Sequence, residues 1–397
     1  MSAGQAGRSA TRTRVRLAAR GVLTAFGAGE EALWEGLLRG ESRVGSCPEL
    51  LPEGARAARV PEEALSRAPG GRQLDRATAL AVEAALQLGS HRERRGGERP
   101  RLGVCLGTTQ GPVRSWEEEQ VRLEREPAHR PAEPSLTDPA AAVARLLGAD
   151  GPVITLSMAC ASGTAAVGLG LTWLREGRCD AVVAGGVDSL STMVHTGFGG
   201  LRALDAATPR PFDAGRAGLA VGEGAALLLL ERCEDRAAEI LEVAGHGLSA
   251  DAHHLTGPDP TGGGLARAIR AALADAALTP EAVDLVNAHG TATVYNDLME
   301  GKALAAVFGP RAASLPVNSI KGAIGHCMAA AGAIEAVFCA LVLERGLLPP
   351  TAGLARPDPA IPLDLVAGEP RRGDYRVALS TSAGFGGVNA ALLLRRG

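Results

Sequence analysis

A cysteine and two histidines stand at positions where their side chains could act together on a substrate. Cys160 follows an apolar run, Pro152 to Leu156, and precedes a helical pattern that starts at Thr164. The free N–H groups and the dipole of a helix N-terminus favour an anion, so we expect this position to lower the pKa of Cys160 and activate it as a nucleophile. His289 and His326 each follow a predicted strand beside glycine, and either ring could donate to a carbonyl oxygen or accept a thiol proton.

Each of these residues also has an ordinary structural explanation. An isolated cysteine is commonly a small buried core residue, and an isolated histidine is commonly hydrogen-bonded within the fold. The other histidines are interpreted in that way or as surface residues, except His195, whose role stays open. Metal binding is not expected, because no cluster of His, Asp and Glu has ligand spacing and no CxxC pair occurs. The combination of Cys160, His289 and His326 favours a nucleophile with two polar helpers.

A lysine in a nearly charge-free run needs an explanation of its own. Lys321 precedes His326 by five positions, so we expect it to require an anionic partner unless it reaches solvent. Glu300, on the predicted helix after His289, is the candidate for that partner. Because a neighbouring carboxylate raises the pKa of a lysine, Lys321 is expected to act electrostatically and not as a general base.

Two glycine-rich turns carry a single bulky side chain each. Backbone N–H groups in the turn Gly384-Phe385-Gly386-Gly387, together with that of Cys160, could form an oxyanion hole with Phe385 as a gate; the alternative is a tight turn before an edge strand. The similar segment around Phe198 could line an acyl pocket or simply pack in the core. Neither turn resembles a phosphate-binding loop, because no Lys-Ser/Thr pair follows.

Composition limits the class of protein. The chain has 397 residues, 46% of them hydrophobic, with a net charge of −3 and 52 glycines. A nearly neutral balance does not indicate nucleic-acid or membrane-surface binding. Seven scattered cysteines favour a reducing compartment, and no apolar run reaches transmembrane length. We therefore expect a soluble cytoplasmic protein that begins with a disordered tail over residues 1–13.

Strands alternate with helices along the chain, which predicts two α/β units packed in layers. An internal echo supports a duplication: Leu106-Gly107-Thr108, Pro152-Val153 and the Ala225 run are matched in order by His289-Gly290-Thr291, Pro316-Val317 and the Ala390 run. The predicted halves span residues 14–234, with Cys160, and 235–397, with His289 and His326. Ligands in such folds bind at the carboxyl ends of strands, where all the residues above are placed.

Four ordered motifs resemble those of the elongating β-ketoacyl-acyl-carrier-protein synthases, the decarboxylating ketosynthases of the thiolase superfamily. They are MACASG around Cys160, NAHGTAT around His289, NSIKGAIGH ending at His326, and AGFGGVN around Phe385. The segment from Arg210 to Glu231 is also similar to the family, and the likeness extends from Arg14 to Leu394.

The resemblance implies a thiolase-like five-layered αβαβα fold with two duplicated halves. It implies that Cys160 accepts an acyl chain from acyl carrier protein, and that His289 and His326 promote decarboxylation of malonyl-carrier protein. Lys321 and Glu300 match a supporting ion pair, and Thr291 and Thr293 match positions that touch the pantetheine arm. No resident cofactor is implied, since the phosphopantetheine arrives on the carrier protein. The expected assembly is a homodimer, or a heterodimer with a ketosynthase-like chain-length factor.

Departures from the family pattern bear on the pathway. Val294 and Asn296 stand where the family commonly has Pro and Gly, and Ala383 stands where fatty-acid synthases usually carry a second phenylalanine. The lost bulk at Ala383 favours a specialised polyketide or polyene pathway over primary fatty-acid synthesis. The alternatives are a thiolase-type acyltransferase without decarboxylation, and a non-catalytic partner of the chain-length-factor type. The second lacks the active cysteine, which Cys160 supplies here.

Overall fold

One mixed β-sheet of twelve strands runs through the part of the chain that the structure describes. The structure is a computed structural model and describes residues 12–48, 54–65, 74–89, 100–126, 133–235 and 237–397. Residues 1–11 of the predicted tail lie outside the described residues.

The strands alternate with helices as the sequence predicts. The strands are β1 (Arg14–Thr24), β2 (Gly27–Ala28), β3 (Gly45–Ser46), β4 (Arg56–Ala58), β5 (Leu102–Gly107), β6 (Val153–Leu156), β7 (Ala181–Asp188), β8 (Val221–Gly222), β9 (Gly224–Cys233), β10 (Leu241–Ala250), β11 (Leu285–Asn287), β12 (Pro316–Asn318), β13 (Leu347–Leu348), β14 (Asp364–Leu365), β15 (Arg371–Arg372), β16 (Val377–Gly384) and β17 (Val388–Arg396). The helices are α1 (Glu30–Leu38), α2 (Arg76–Leu86), α3 (Val113–Arg125), α4 (Asp138–Leu147), α5 (Ser162–Arg175), α6 (Thr192–Gly200), α7 (Gly263–Ala276), α8 (Val294–Phe308), α9 (Lys321–Ile324) and α10 (Ala331–Arg345).

The sheet repeats the same strand order twice. One set runs β6-β5-β7-β9-β1 and the other runs β12-β11-β16-β17-β10, with β14 beside β12. If the five strands of each set are numbered by their order in the chain, both sets have the same order across the sheet: third, second, fourth, fifth, first. The two sets meet where β1 pairs antiparallel with β10. This is the duplication that the internal echo predicts, although the boundary between residues 234 and 235 stays a prediction.

Helices form three layers around the two sets of strands. The almost entirely buried α10 and the helix α5 contact strands of both sets, so they form the central layer. The helices α2 and α4 cover the outer face of the first set, and α7 with α8 covers the second. One apolar cluster surrounds the central helices, and one lies beneath each outer layer of helices. The arrangement is the predicted five-layered αβαβα fold.

One helix replaces an expected glycine-rich turn, and local residues explain the position of two others. The charged segment 112–138 contains α3, since its Glu, Gln and Arg residues are good helix formers. The glycine-rich stretch around Phe198 belongs to α6, whose N-terminus is capped by the Ser191 hydroxyl. The helix α10 starts only at Ala331, because Gly325 has a φ of 67° and interrupts the helical conformation after α9.

The parallel strands set the position of the predicted site. β5 is parallel to β6 and β7, and β11 is parallel to β12 and β16. The loops that follow β6, β11, β12 and β16 carry Cys160, His289, His326 and Phe385 respectively. Among the described residues no helix is long and apolar enough to cross a bilayer.

Candidate active site

Cys160 lies in a tight turn between β6 and α5. Ala159 has a φ of 47°, a left-handed conformation that non-glycine residues seldom adopt, and the following residues lead directly into α5. The Ser162 hydroxyl fixes the turn, because it accepts the N–H of Met158 at 2.8 Å and donates to the carbonyl of Ala159 at 2.6 Å. A sharp, hydrogen-bonded turn therefore holds Cys160 at the amino end of a buried helix.

The structure brings Cys160 together with both histidines. The cysteine Sγ and a ring nitrogen of His289 and of His326 all lie within 4.8 Å of one another. The two imidazole rings meet edge to face, with their centroids 5.2 Å apart. All three side chains are buried. An acyl group on Cys160 would thus lie beside both rings, which is the geometry that polar assistance requires.

Glu300 anchors the backbone that carries His289. Its carboxylate accepts the N–H of His289 at 2.6 Å, the N–H of Gly290 at 2.8 Å and the hydroxyl of Thr381 at 2.7 Å. Gly290 has a φ of 39°, and a Cβ there would lie 2.5 Å from the Ser319 Cβ. Three donors to one buried carboxylate hold this turn in place.

The backbone of His326 is hydrogen-bonded to the segment 220–222, which includes β8. Its N–H donates to the carbonyl of Ala220 at 2.7 Å, and its carbonyl accepts the N–H of Gly222 at 2.9 Å. On the ring, Nδ1 accepts the N–H of Met328 at 3.2 Å. An accepting Nδ1 carries no proton in the neutral ring, so Nε2 is the protonated nitrogen. His326 therefore presents a hydrogen-bond donor.

The predicted ion pair between Lys321 and Glu300 is wrong. Lys321 Nζ forms its ion pair with Glu335 on α10, and both side chains are buried. Glu300 is instead occupied by the backbone N–H groups after β11, which fill its oxygens. Sequence reasoning passed over Glu335 although a signal existed: it is the one acidic residue in the buried apolar stretch 331–343.

We expect breaking this buried pair to cost both stability and activity. Lys321→Met leaves Glu335 buried without its partner, which should lower the free energy of unfolding by about 3 kcal/mol or more. In Lys321→Met/Glu335→Leu, urea unfolding should show most of that loss recovered, because an apolar pair can replace a buried ion pair. Malonyl decarboxylation should stay impaired in both variants. Recovery of full activity in the double variant would show that the lysine acts only through stability.

Burial, together with the Lys321 charge, keeps both histidines neutral. Burial lowers the pKa of His289 and of His326 well below the usual value for histidine, and the Lys321 charge lowers both further. Burial also raises the pKa of the Cys160 thiol to about 11, outweighing the opposite effects of Lys321 and of two backbone N–H groups. The expectation of a lowered cysteine pKa is therefore wrong, since complete burial outweighs the helix N-terminus. At neutral pH the site holds a thiol and two uncharged imidazoles.

This charge state predicts the pH dependence of alkylation. Because the Cys160 pKa is raised, its thiolate fraction grows as pH increases, and the rate of modification by iodoacetamide should rise about tenfold per unit between pH 7 and 9. Peptide mass spectrometry after timed alkylation measures the rate at Cys160 alone, with the partly exposed Cys233 as a reference for the reagent. A plateau already reached at pH 7 would show a lowered cysteine pKa instead.

Backbone donors converge on the Cys160 sulfur. The N–H of Cys160 itself and the N–H of Phe385 both donate towards the thiol. The absence of a side chain at Gly384 permits this approach, since a Cβ there would lie 3.2 Å from the Cys160 nitrogen. Gly386 does not act as a donor, because its N–H is bonded to the carbonyl of Leu255 at 2.7 Å. The two converging N–H groups provide the geometry of an oxyanion hole.

A cavity of about 330 Å³ leads to Cys160. The rings of Phe198 and Phe385 line it, with their centroids 5.5 Å apart and their planes at 47°. Thr291 and Thr293 also line it, and their Oγ1 atoms are 2.9 Å apart. The structure thus places the predicted gate residue Phe385, the predicted pocket residue Phe198 and both threonines around one cavity.

Asn296, where the family commonly has glycine, connects the cavity wall to two buried acids. Its Nδ2 donates to Asp297 Oδ1 at 3.2 Å and lies 3.5 Å from Glu300 Oε2. Asp297 also accepts the N–H of Phe212 at 2.8 Å, and burial raises its pKa to about 7. Asn296 therefore links the carboxylate that supports His289 to the wall of the cavity.

Asp188, which sequence reasoning missed, joins three loops beneath the site. At the end of β7 it accepts the hydroxyls of Thr108 and Thr109 at 2.8 and 2.7 Å. It also accepts the N–H of Ala329 at 2.8 Å, which lies within the 3₁₀ turn Met328–Ala330 that follows His326. Burial raises the pKa of this carboxyl, and the hydrogen bonds oppose that rise. A buried aspartate at a strand end was the available sequence signal.

The donor atoms of Cys160, His289 and His326 are close enough to hold a metal ion, but the surroundings disfavour one. The accepting Nδ1 of His326 leaves its proton on Nε2, which removes the lone pair that a ligand needs there. The buried Lys321 charge also repels a cation at this place. The arrangement fits acyl chemistry better than metal ligation.

Comparison with known sequences agrees with this chemistry. Residues 12–236 match the family described as "Beta-ketoacyl synthase, N-terminal domain", and residues 240–355 match its C-terminal domain. The chain is 37% identical to nodulation protein E of Rhizobium meliloti over 96% of its own length and 99% of that protein. It is 37% identical to polyketide β-ketoacyl synthase 1 of Streptomyces cyaneus over 96% of its own length and 97% of that protein. It is 34% identical to 3-oxoacyl-[acyl-carrier-protein] synthase 2 of Staphylococcus aureus over 96% of its own length and 98% of that protein.

Solved structures share the fold over nearly the whole chain. The ishigamide ketosynthase/chain length factor superposes with a TM-score of 0.89 at 34% identity, covering 98% of this chain and 100% of that one. The AntDE:AntF complex, a type II polyketide ketosynthase with its acyl carrier protein, superposes with a TM-score of 0.87 at 28% identity, and the coverage of both chains is the same. The chain therefore belongs to the β-ketoacyl synthase family and is a ketosynthase, an acyltransferase with the thiolase-like fold.

Proposed function

We propose that this ketosynthase joins an acyl chain held on Cys160 to a malonyl unit by decarboxylative Claisen condensation. The observation that carries the proposal is the cluster of Cys160, His289 and His326, with their reactive atoms within 4.8 Å of one another. The backbone donors of Cys160 and Phe385 complete the site. A non-catalytic partner of the chain-length-factor type needs none of these groups.

The first half-reaction transfers the acyl group to the cysteine. Cys160 is protonated at rest, so its proton must leave as the sulfur attacks the thioester carbonyl. His289 is the acceptor that fits, because its ring is neutral and one of its nitrogens lies within 4.8 Å of the Cys160 sulfur. The N–H groups of Cys160 and Phe385 then stabilise the oxyanion, and the carrier thiol leaves with the proton.

The second half-reaction places the malonyl thioester in the emptied cavity. Loss of carbon dioxide leaves an enolate, whose developing negative charge needs donors already in position. His326 supplies a donor, because its protonated nitrogen is Nε2, and a protonated nitrogen of His289 supplies another. The enolate carbon attacks the acyl carbonyl, and Cys160 leaves as the β-ketoacyl product forms. In this proposal Thr291 and Thr293, which line the cavity, contact the pantetheine arm.

The substrates arrive on a partner, and the enzyme needs no resident cofactor in this proposal. Acyl carrier protein carries both thioesters on phosphopantetheine; support comes from AntDE:AntF, a ketosynthase structure with its carrier protein. Dimer formation fits the edge of the sheet, where β6 has no further strand beside it in the described chain and Val153 is 46% exposed. The partner is a second copy or a chain-length factor, as in the ApeO–ApeC complex. Reduced thiols fit a cytoplasmic enzyme.

The test is direct formation of the product. Purified protein is incubated with an acyl-carrier protein and malonyl-carrier protein, and intact-mass spectrometry should detect the β-ketoacyl-carrier protein with two added carbons. A thiolase-type acyltransferase would load Cys160 without releasing carbon dioxide. Acyl loading without any carbon dioxide release would therefore favour that alternative.

The size of the side chains around the cavity is expected to influence the length of the acyl products. Ala383 lacks the bulk of a phenylalanine, so Phe198 and Phe385 supply the rings at the cavity. Phe198→Ala should lengthen the products without abolishing acylation, since each further buried CH₂ gains about 0.8 kcal/mol. Product mass spectra of the variant and the parent, each with and without a chain-length factor, provide the measurement. Products that change only with the added subunit would place length control in the partner, and the Phe198 assignment would be wrong.

A further inference from the structure

The turn that follows His326 carries the backbone group that orients its ring. This turn spans Met328–Ala330, and the N–H of Met328 donates to His326 Nδ1 at 3.2 Å. Met328 has a φ of 49°, a left-handed conformation that a residue with a side chain keeps only where its surroundings hold it there. The orientation and the tautomer of the His326 ring therefore depend on what holds this turn in place.

Ala329, in the middle of the turn, is fixed at both its N–H and its carbonyl. The N–H donates to Asp188 Oδ2 at 2.8 Å. The carbonyl oxygen lies against Gly163 and Gly186, where an added Cβ would collide with it. Gly163 belongs to the first turn of α5, three positions after Cys160, and Gly186 precedes Asp188 in β7. The turn is therefore packed directly on the helix that begins at the nucleophile.

The Asp188 carboxylate is itself held by the half of the fold that carries Cys160. It is buried at the end of β7 and accepts two threonine hydroxyls and two backbone N–H groups of the loop 108–110, which follows β5. Backbone N–H groups can only donate, so together with that of Ala329 they favour the ionised carboxylate. Because His326 follows β12 of the other half, Asp188 connects the two halves beside the reacting groups.

We propose that Asp188 is a positioning residue for His326, whose ring it fixes relative to Cys160 through the N–H of Ala329. The proposal rests on the condensation proposed above, in which His326 donates from Nε2 to the enolate. A donor lowers the barrier only when it already points at the atom where charge develops, so a small displacement of the ring is costly. Asp188 is not among the residues that line the cavity, so it acts through His326 and not on the substrate.

Nitrogen NMR of the full chain with ¹⁵N-labelled histidine observes the ring directly and needs no turnover. In the parent, His326 should have a protonated Nε2 and an unprotonated Nδ1 that accepts a hydrogen bond, and His326→Ala assigns the signals. Asp188→Asn turns an amide donor towards groups that also donate, so the turn should loosen and the signals should shift towards an average of both tautomers. A parental spectrum in Asp188→Asn, or a protonated Nδ1 in the parent, would overturn the proposal.

The kinetic expectation is a difference between the two half-reactions. Carbon dioxide release from malonyl-carrier protein should fall about tenfold or more in Asp188→Asn through kcat, with KM within about twofold of the parent, because the donor acts on developing charge. Acylation of Cys160, followed by intact-mass spectrometry, should fall less. Equal losses in both steps, or a change in KM alone, would contradict the assignment. If the parent releases no carbon dioxide, the proposed function fails, whereas the NMR spectra still test the link from Asp188 to His326.

A second variant displaces the turn without changing a charge. Gly186→Ala places a Cβ against the Ala329 carbonyl, so carbon dioxide release should fall as in Asp188→Asn. The two variants should differ at the thiol. The Asp188 charge raises the pKa of Cys160, so iodoacetamide should modify Asp188→Asn faster than the parent at pH 8 and Gly186→Ala at the parental rate. Parental carbon dioxide release in Gly186→Ala would show that the position of the turn does not matter, and the proposal would be wrong.

The matched control replaces another carboxylate that anchors backbone N–H groups. Asp284 accepts those of Arg376 and Val377 at 2.7 and 2.8 Å, at the end of the sheet away from the site. Asp284→Asn has the same change in charge and weakens a similar anchor, so thermal unfolding should show a loss of stability. Its His326 signals and its carbon dioxide release should match the parent. An equal loss of activity in this control would attribute the effect of Asp188→Asn to general destabilisation and overturn the proposal.

Discussion

Replacing Cys160 by alanine should abolish acyl loading and lower condensation by about 10³-fold or more, because no other group can form the thioester intermediate. The other buried thiols, Cys105, Cys327 and Cys339, are not expected to substitute, since none of them lines the cavity. Intact-mass spectrometry after incubation with an acyl-carrier protein should show the acyl adduct on the parent chain only.

A control variant separates nucleophile loss from general damage. Cys233→Ala removes the partly exposed thiol at the end of β9, far from the cavity, and should accept the acyl group as the parent does. Thermal unfolding of Cys160→Ala should match that of the parent, because alanine fits the small turn. An acyl adduct of parental yield on Cys160→Ala would identify a different nucleophile.

The histidine variants should separate decarboxylation from acylation. Either His289→Ala or His326→Ala removes a donor aimed at developing enolate charge, and loss of one such donor typically costs about 10²–10³ in rate. Carbon dioxide release from malonyl-carrier protein should fall by that amount in both variants, while some acylation of Cys160 survives. Timed release of labelled carbon dioxide and intact-mass spectrometry measure the two steps independently.

The two histidines should differ in how acylation responds to pH. If His289 accepts the thiol proton, acylation of His289→Ala should recover as pH rises, since the Cys160 pKa of about 11 gives more thiolate at higher pH. His326→Ala should acylate at neutral pH, because its Nε2 is a donor. His253→Ala, an exposed histidine outside the cavity, is the control and should behave as the parent. Unchanged carbon dioxide release in both test variants would refute the assignment.

Local sequence determined the elements and the order in which reactive residues occur. The apolar run before Cys160 forms β6, and the loops after β11 and β12 carry His289 and His326 as predicted. Strand patterns depend on alternating or continuous apolar residues, and small residues mark tight turns, so both are visible in the sequence. The echo between the halves depends on the same patterns, which is why the duplicated fold could be predicted.

Tertiary structure decided which charges meet. Lys321 pairs with Glu335, fourteen positions along the chain, while Glu300 binds backbone N–H groups that no side-chain pattern reveals. The direction of the Cys160 pKa shift was predicted wrongly, because a helix terminus is visible in the sequence, whereas complete burial is a property of the packed fold. Helix α6 likewise formed despite its glycines, since a cap and its neighbours outweigh local propensity. Residues define the reacting groups, and packing sets their partners and charge states.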